Sequence, residues 1–198
     1  MSETKIHTDI AIGVDFSVDG PLADKYHISV DAALATELGC VAEAGASLQV
    51  VFSSEPAHVI EPYTRGYAAE QLGLYRKHHR IFDDGSQNTA ALIIIRLPAL
   101  IQAGELGIRR HDMTRHDTSQ VDANVSETLI HEIGHHTYSS DTSNGSLRGA
   151  YDKALGLFSA SRLAAYEKMV EEKAVRKQTY ELLLARPVLH KLVQLELK

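Results

Sequence analysis

Val125-Ser126-Glu127-Thr128-Leu129-Ile130-His131-Glu132-Ile133-Gly134-His135-His136 reads as one amphipathic helix that carries two imidazoles on a single face. At about 100° per residue, His131 and His135 fall roughly 40° apart and one turn apart along the axis, so both rings can point at one metal ion. Glu132 follows the first histidine and flanks the coordination position left open. Zinc acidifies a bound water toward neutrality, and Glu132 is placed to take its proton, aim it at a peptide carbonyl and return the proton to the leaving amine. Leu129, Ile130 and Ile133 supply the apolar face, Ser126 is a candidate N-cap, and no proline interrupts the run. Gly134 is a weak helix former, costing about 1 kcal/mol relative to alanine, but it permits close backbone approach by a neighbour. The alternative is a surface helix with histidines by chance, because the pattern fixes only the two histidines and the glutamate.

Catalytic zinc takes three protein ligands and keeps one position for water, so a third ligand is required beyond His131 and His135. Asp141 lies ten residues after His131, past the helix end and among the turn formers Ser139, Ser140, Thr142, Ser143, Asn144 and Gly145. Glu171 and Glu172 compete with it from a second helical run, where the same residues also fit a solvated face with Glu172 and Arg176 paired. Both sources stay open, and a carboxylate that does not bind the metal can instead hold a histidine's second nitrogen. His136 points about 100° away from His135 and does not share the ion while the helix persists. A phenol that stabilises the developing oxyanion would come from Tyr138, Tyr151, Tyr166 or Tyr180, with Tyr166 preferred because it precedes the glutamate pair by less than two turns.

The chain has 198 residues, a formal charge of -6 and 23% charged residues. That length suits one domain, residues 1–198, divided into an α+β lobe over 1–123 and the active-site helix with C-terminal helices over 124–198. The acidic balance supplies no basic field for nucleic acid. Cys40 is the only cysteine, which excludes an intrachain disulfide and any cysteine-based zinc site and leaves a small core residue. The start Met1-Ser2-Glu3-Thr4-Lys5 lacks the apolar core of a signal peptide, and Ala90 to Ile95 is too short to span a bilayer. Export would therefore need a dedicated secretion system or a larger parent polypeptide, with the chain cytoplasmic before export.

Along the chain, residues 6–18 hold a first strand and Asp19-Gly20-Pro21 a turn. Asp31 to Ala44 is expected to be a helix, Ser47 to Ser53 a strand, Tyr67 to Arg80 a second helix, and Thr89 to Leu97 a buried strand stopped by Pro98. Gly104 to Ala123 is polar and irregular and reads as a loop, where His111 and His116 belong to a hydrated Asp/His/Arg network rather than a second metal site. Leu147 to Leu197 is helical in character. The mixture of helices and strands gives an α+β class.

The segment His131-Glu132-Ile133-Gly134-His135-His136-Thr137-Tyr138-Ser139-Ser140-Asp141 resembles the zinc motif of bacterial effector metallopeptidases related to the type III effector proteases that cleave NF-κB subunits. The shared details are the doubled histidine and the Ser-Ser-Asp that follows. Glu172 with Arg176, Glu181 and Leu182 resembles the helix after the motif in those effectors, and the resemblance favours a carboxylate from Glu172. Similar domains form C-terminal toxins of type VI secretion spike proteins. The resemblance implies a zincin-like fold, with a small mixed sheet, a metal helix across it and a helical C-terminal part closing the cleft. It further implies one zinc per chain, a protein or peptide substrate, delivery into a target cell, and a cognate immunity protein or secretion-apparatus carrier as partner. Two other readings share the motif: an intracellular regulatory gluzincin-type protease, and a non-catalytic zinc-binding module.

Overall fold

The run Ala91-Leu92-Ile93-Ile94-Ile95 has no polar residue to mark a solvent side, and such strands belong inside a sheet. It lies in β8 (Gln87–Arg96), flanked by β4 (Ala46–Ser53) and β7 (Gly73–Ile81). The computed structural model describes residues 3–5, 13–42, 46–60, 69–81, 87–106, 119–140 and 160–198. With β1 (Glu3–Lys5) and β2 (Val14–Asp19), these strands make a five-stranded mixed sheet in the order β1-β2-β4-β8-β7. The pairs β2/β4 and β4/β8 are parallel, and the outer pairs β1/β2 and β7/β8 are antiparallel.

Strand alternation puts Phe16, Val18, Leu48, Val50, Phe52, Ile93 and Ile95 on one buried face. That face packs on α4 (Gln120–Ser140) through Val125, Leu129, Ile130 and Ile133, with α3 (Leu97–Glu105) alongside. The short helices α1 (Gly20–Lys25) and α2 (Ala32–Glu37) bracket β3 (Tyr26–Val30). A long helix, α5 (Ala160–Ala185), crosses α4, and a 3-10 turn (Pro187–Lys191) leads to β9 (Val193–Leu197), which pairs antiparallel with β3. β5 (His58–Ile60) and β6 (Ala69–Gln71) form a separate two-stranded ribbon. The protein is thus mixed α and β, with a small mixed sheet and helices.

Several elements differ from the sequence expectation. The helix expected over Tyr67–Arg80 is strand at Ala69–Gln71, which pairs with β5, and from Gly73 onward, where β8 offers a full antiparallel partner from Gly73↔Ile95 to Ile81↔Gln87. The helix expected to reach Ala44 stops at Glu37, where Gly39 takes a φ of 83°. Asp19-Gly20-Pro21 opens α1 rather than forming a simple turn, and Pro98 opens α3 just after the strand ends, a position where its missing N–H costs nothing. Ser126 is no N-cap: α4 begins at Gln120. The C-terminal part is not helical to Leu197, since Val193-Gln194-Leu195-Glu196-Leu197 is a strand. Residues 6–12, the loop residues His111 and His116, and Asp141 lie outside the described residues. No described helix is long and apolar enough to cross a membrane.

Candidate metal centre

Two anchors fix α4 before its histidines come into play. Ser126, fully buried in mid-helix, accepts from the Val193 N–H at 2.9 Å and donates to the Val193 carbonyl at 3.2 Å. One turn earlier, Asp122 accepts from the Leu195 N–H at 2.9 Å. The helix is thereby seated on β9, with Leu129 and Ile133 in the core and His131 and His135 on the side that meets α5.

Gly134 sets how near α5 can come. A Cβ there would lie 2.7 Å from Val175 Cγ1, inside any normal carbon–carbon contact, so only glycine allows this crossing. Val175 is fully buried at that point. Glu171 and Glu172, one turn before it on α5, are carried to the two histidines.

The resulting spacing is that of a ligand set. His131 Nε2 and His135 Nε2 stand 3.2 Å apart, while Glu172 sets Oε2 3.2 Å from His135 Nε2 and Oε1 3.4 Å from His131 Nε2. A tetrahedral cation about 2.0–2.1 Å from each donor needs neighbouring donors about 3.3 Å apart. With one donor atom from each residue all within 4.8 Å of one another, the group His131, His135 and Glu172 could hold a metal ion. Glu171 Oε1 accepts from His135 Nδ1 at 2.7 Å. This turns Nε2 of His135 toward the ion position and fixes the tautomer. Arg176 Nε donates to Glu172 Oε1 at 2.6 Å from the next turn of α5.

Electrostatics follow from this crowding. Burial lowers the proton affinity of His135, but Glu171 and Glu172 outweigh it and carry its pKa up to about 9. Glu172 is driven far below the ordinary carboxylate range, chiefly by hydrogen bonds from His131 and His135. A metal ion bound here would have to displace the proton that these carboxylates favour on His135.

Glu132 lies to one side of this group, 6% exposed, against Gly73 of β7. Any Cβ on Gly73 would strike Glu132 Oε1, and would lie 2.7 Å from its Cγ and Cδ. Burial pushes the Glu132 carboxyl up to about 7, against the opposing pull of His131 and His135. A carboxylate in that range suits proton transfer near neutrality.

β7 is held at this distance from α4 by His136, the neighbour that faces away from the metal group. Its Nε2 donates to the Val41 carbonyl at 2.9 Å, and its Nδ1 accepts from Tyr75 O–H at 3.3 Å. At the other end of the contact, Arg96 donates through its backbone N–H to Leu72 O at 2.8 Å and through a guanidinium N–H to Gln71 O at 3.2 Å. Both contacts hold the junction between β6 and β7 that precedes Gly73.

The structure thus brings together His131, His135, Glu172 and Glu171, with Glu132 beside them. Asp141 and Tyr151 lie outside the described residues; Tyr166 is on α5, its side chain likewise outside them. Tyr138 is half-buried in the last turns of α4, and Tyr180 is 43% exposed on α5. Gly73 and Tyr75 were hidden by the helical reading of Tyr67–Arg80; the Asp84-Gly85 pair shortly before the apolar run Ala90–Ile95 was the hairpin signal that could have exposed them. The chain matches no protein-family model, no curated protein and no solved structure.

Proposed function

We propose that the chain is a zinc-dependent endopeptidase of zincin type that hydrolyses peptide bonds of a protein target. The observation that carries this reading is the 3.2–3.4 Å spacing of donors from His131, His135 and Glu172, with a separate buried carboxylate, Glu132, alongside. Donors drawn only from imidazole and carboxylate suit zinc, and Glu132 is left free of the ligand set, as an open catalytic site requires. Zinc, when bound, would supply Lewis acidity and an acidified water at neutral pH.

The chain's residues do the rest. Glu132 accepts the proton from the attacking water and passes it to the leaving nitrogen. Glu171 keeps His135 oriented, and Gly73 leaves room for the Glu132 carboxylate under β7. Tyr166, less than two turns before Glu171 on α5, is the proposed hydrogen-bond donor to the developing oxyanion. The doubled histidine and the Ser-Ser-Asp after it support a place among secreted effector or toxin peptidases, delivered by a dedicated machine and neutralised at home by an immunity protein.

The test is zinc per chain by elemental analysis, together with hydrolysis of a protein-derived peptide pool, on the unmodified chain and Glu132→Gln. One zinc in both proteins is expected, with hydrolysis lowered at least about 100-fold only in the variant. Near-unchanged turnover in Glu132→Gln would remove the mechanism. No divalent metal in either protein after reconstitution would remove the reading itself.

A further inference from the structure

β7 is the outermost strand of the main sheet among the described residues, pairing on one side with β8. Its sequence, Gly73-Leu74-Tyr75-Arg76-Lys77-His78-His79-Arg80-Ile81, holds three cations, Arg76, Lys77 and Arg80, with two histidines between them and no acidic residue. This run sits in a chain whose formal charge is -6. Arg76 is exposed on the strand, and Lys77 is half-buried. The strand begins at the Glu132 carboxylate, through Gly73, and rises about 3.4 Å per residue. Arg76 is therefore about 10 Å, and the Arg80 backbone about 24 Å, along the strand from the proposed base.

An outer strand of this kind takes up an extended peptide by backbone hydrogen bonds, and its side chains choose which peptide. We propose that the strand selects an extended substrate segment rich in Asp and Glu, whose acidic block begins about three residues from the cleaved bond. The inference rests on the peptidase reading only for the cleavage; the recognition of an acidic strand stands on β7 alone. Charged residues on an outer strand also discourage edge-to-edge aggregation. A single lysine or arginine meets that role, and it does not account for three cations with no acidic residue on the strand that starts at Glu132 of an acidic chain. Like charges also steer an acidic partner to the cleft, an effect that falls once the Debye length shrinks below the spacing of the charges.

The experiment uses three fluorescently labelled peptides with a common Ser/Thr/Val core and a flank of four Glu, four Gln or four Lys. Binding to zinc-loaded Glu132→Gln is read by anisotropy, at about 50 mM and about 300 mM salt. The Glu-flanked peptide is expected to bind at least ten-fold tighter than the Gln-flanked one at low salt, and the advantage is expected to shrink at high salt. In an Arg76→Glu/Lys77→Glu variant on the same background, with unchanged zinc content and circular dichroism, the order is expected to reverse. Equal binding of all three peptides, or preference for Lys, overturns the inference. Cleavage sites of the unmodified chain in a peptide pool separate the two claims. Hydrolysis without Asp or Glu enrichment overturns the acidic preference and leaves the peptidase. Tight binding of the Glu-flanked peptide with no hydrolysis by the unmodified chain overturns the peptidase and leaves an acidic-peptide-binding strand.

Discussion

Replacing Gly134 by alanine adds one methyl group at the point where α4 and α5 touch, and its effect can be worked from the structure. The new Cβ would stand 2.7 Å from Val175 Cγ1, whereas carbon atoms rest about 3.5–4.0 Å apart. Roughly 1 Å must be found, and a β-branched side chain in a buried site has little rotamer freedom to give it. The helices therefore separate, and Glu172, one turn from Val175, draws back from donor spacings that now match a tetrahedral ion. Overpacking costs about 1–3 kcal/mol, while better helix propensity returns about 1 kcal/mol. The fold is expected to survive with a small net loss, whereas zinc affinity should fall about 10- to 100-fold, as when a ligand's support is disturbed. Competition with a zinc chelator measures the affinity, and thermal unfolding of the metal-free protein measures the fold. Adding Val175→Ala to Gly134→Ala removes the opposing methyls and should restore most of the affinity. An alanine variant with unchanged zinc affinity and a raised melting temperature would refute the claim that this contact sets the site.

Glu171→Gln should keep the hydrogen bond's length but lose its charge, weakening zinc binding about ten-fold without removing the ion, as read by the same competition. Gly73→Ala should displace the Glu132 side chain, so hydrolysis falls while zinc content stays at the unmodified level; retained kcat would count against the position assigned to the base. The metal-free protein should lose stability as pH rises. His135, lifted from 6.5 to about 9, contributes fully below about 6.5 and loses that contribution through 9, a change of about 3 kcal/mol, and Glu132, lifted to about 7, acts in the same direction from about 4.5 upward. Glu172, held low, works at the acid end, where its contribution disappears as pH falls below about 4.5. Denaturant midpoints between pH 5 and 9 test this, and excess zinc should reverse the alkaline loss because its ligands must be deprotonated.

The parts of the site legible in the sequence are those whose geometry is local. His131, Glu132 and His135 share one helix, so the 3.6-residue turn alone places them. Glu172 could not be separated from Glu171 that way, because which of the two reaches the Nε2 atoms depends on the crossing at Gly134 and Val175, a contact between residues far apart in the chain. The α+β mixture was readable, but the partner that makes residues 73–81 a strand is β8, and pairing overrode local propensity there. The alternation Val193-Gln194-Leu195-Glu196-Leu197 is a period-two signal that the preceding helical run obscured.

β9 follows every candidate ligand along the chain, yet it holds the helix that bears the histidines, through Ser126 and Asp122. Its pairing with β3 also ties residues 193–197 to residues 26–30. A nascent chain thus carries His131, His135 and Glu172 well before it has the strand that seats them. The candidate centre is seated by a stretch that contributes no ligand, and any event that removes or masks those few residues acts on the centre from outside it.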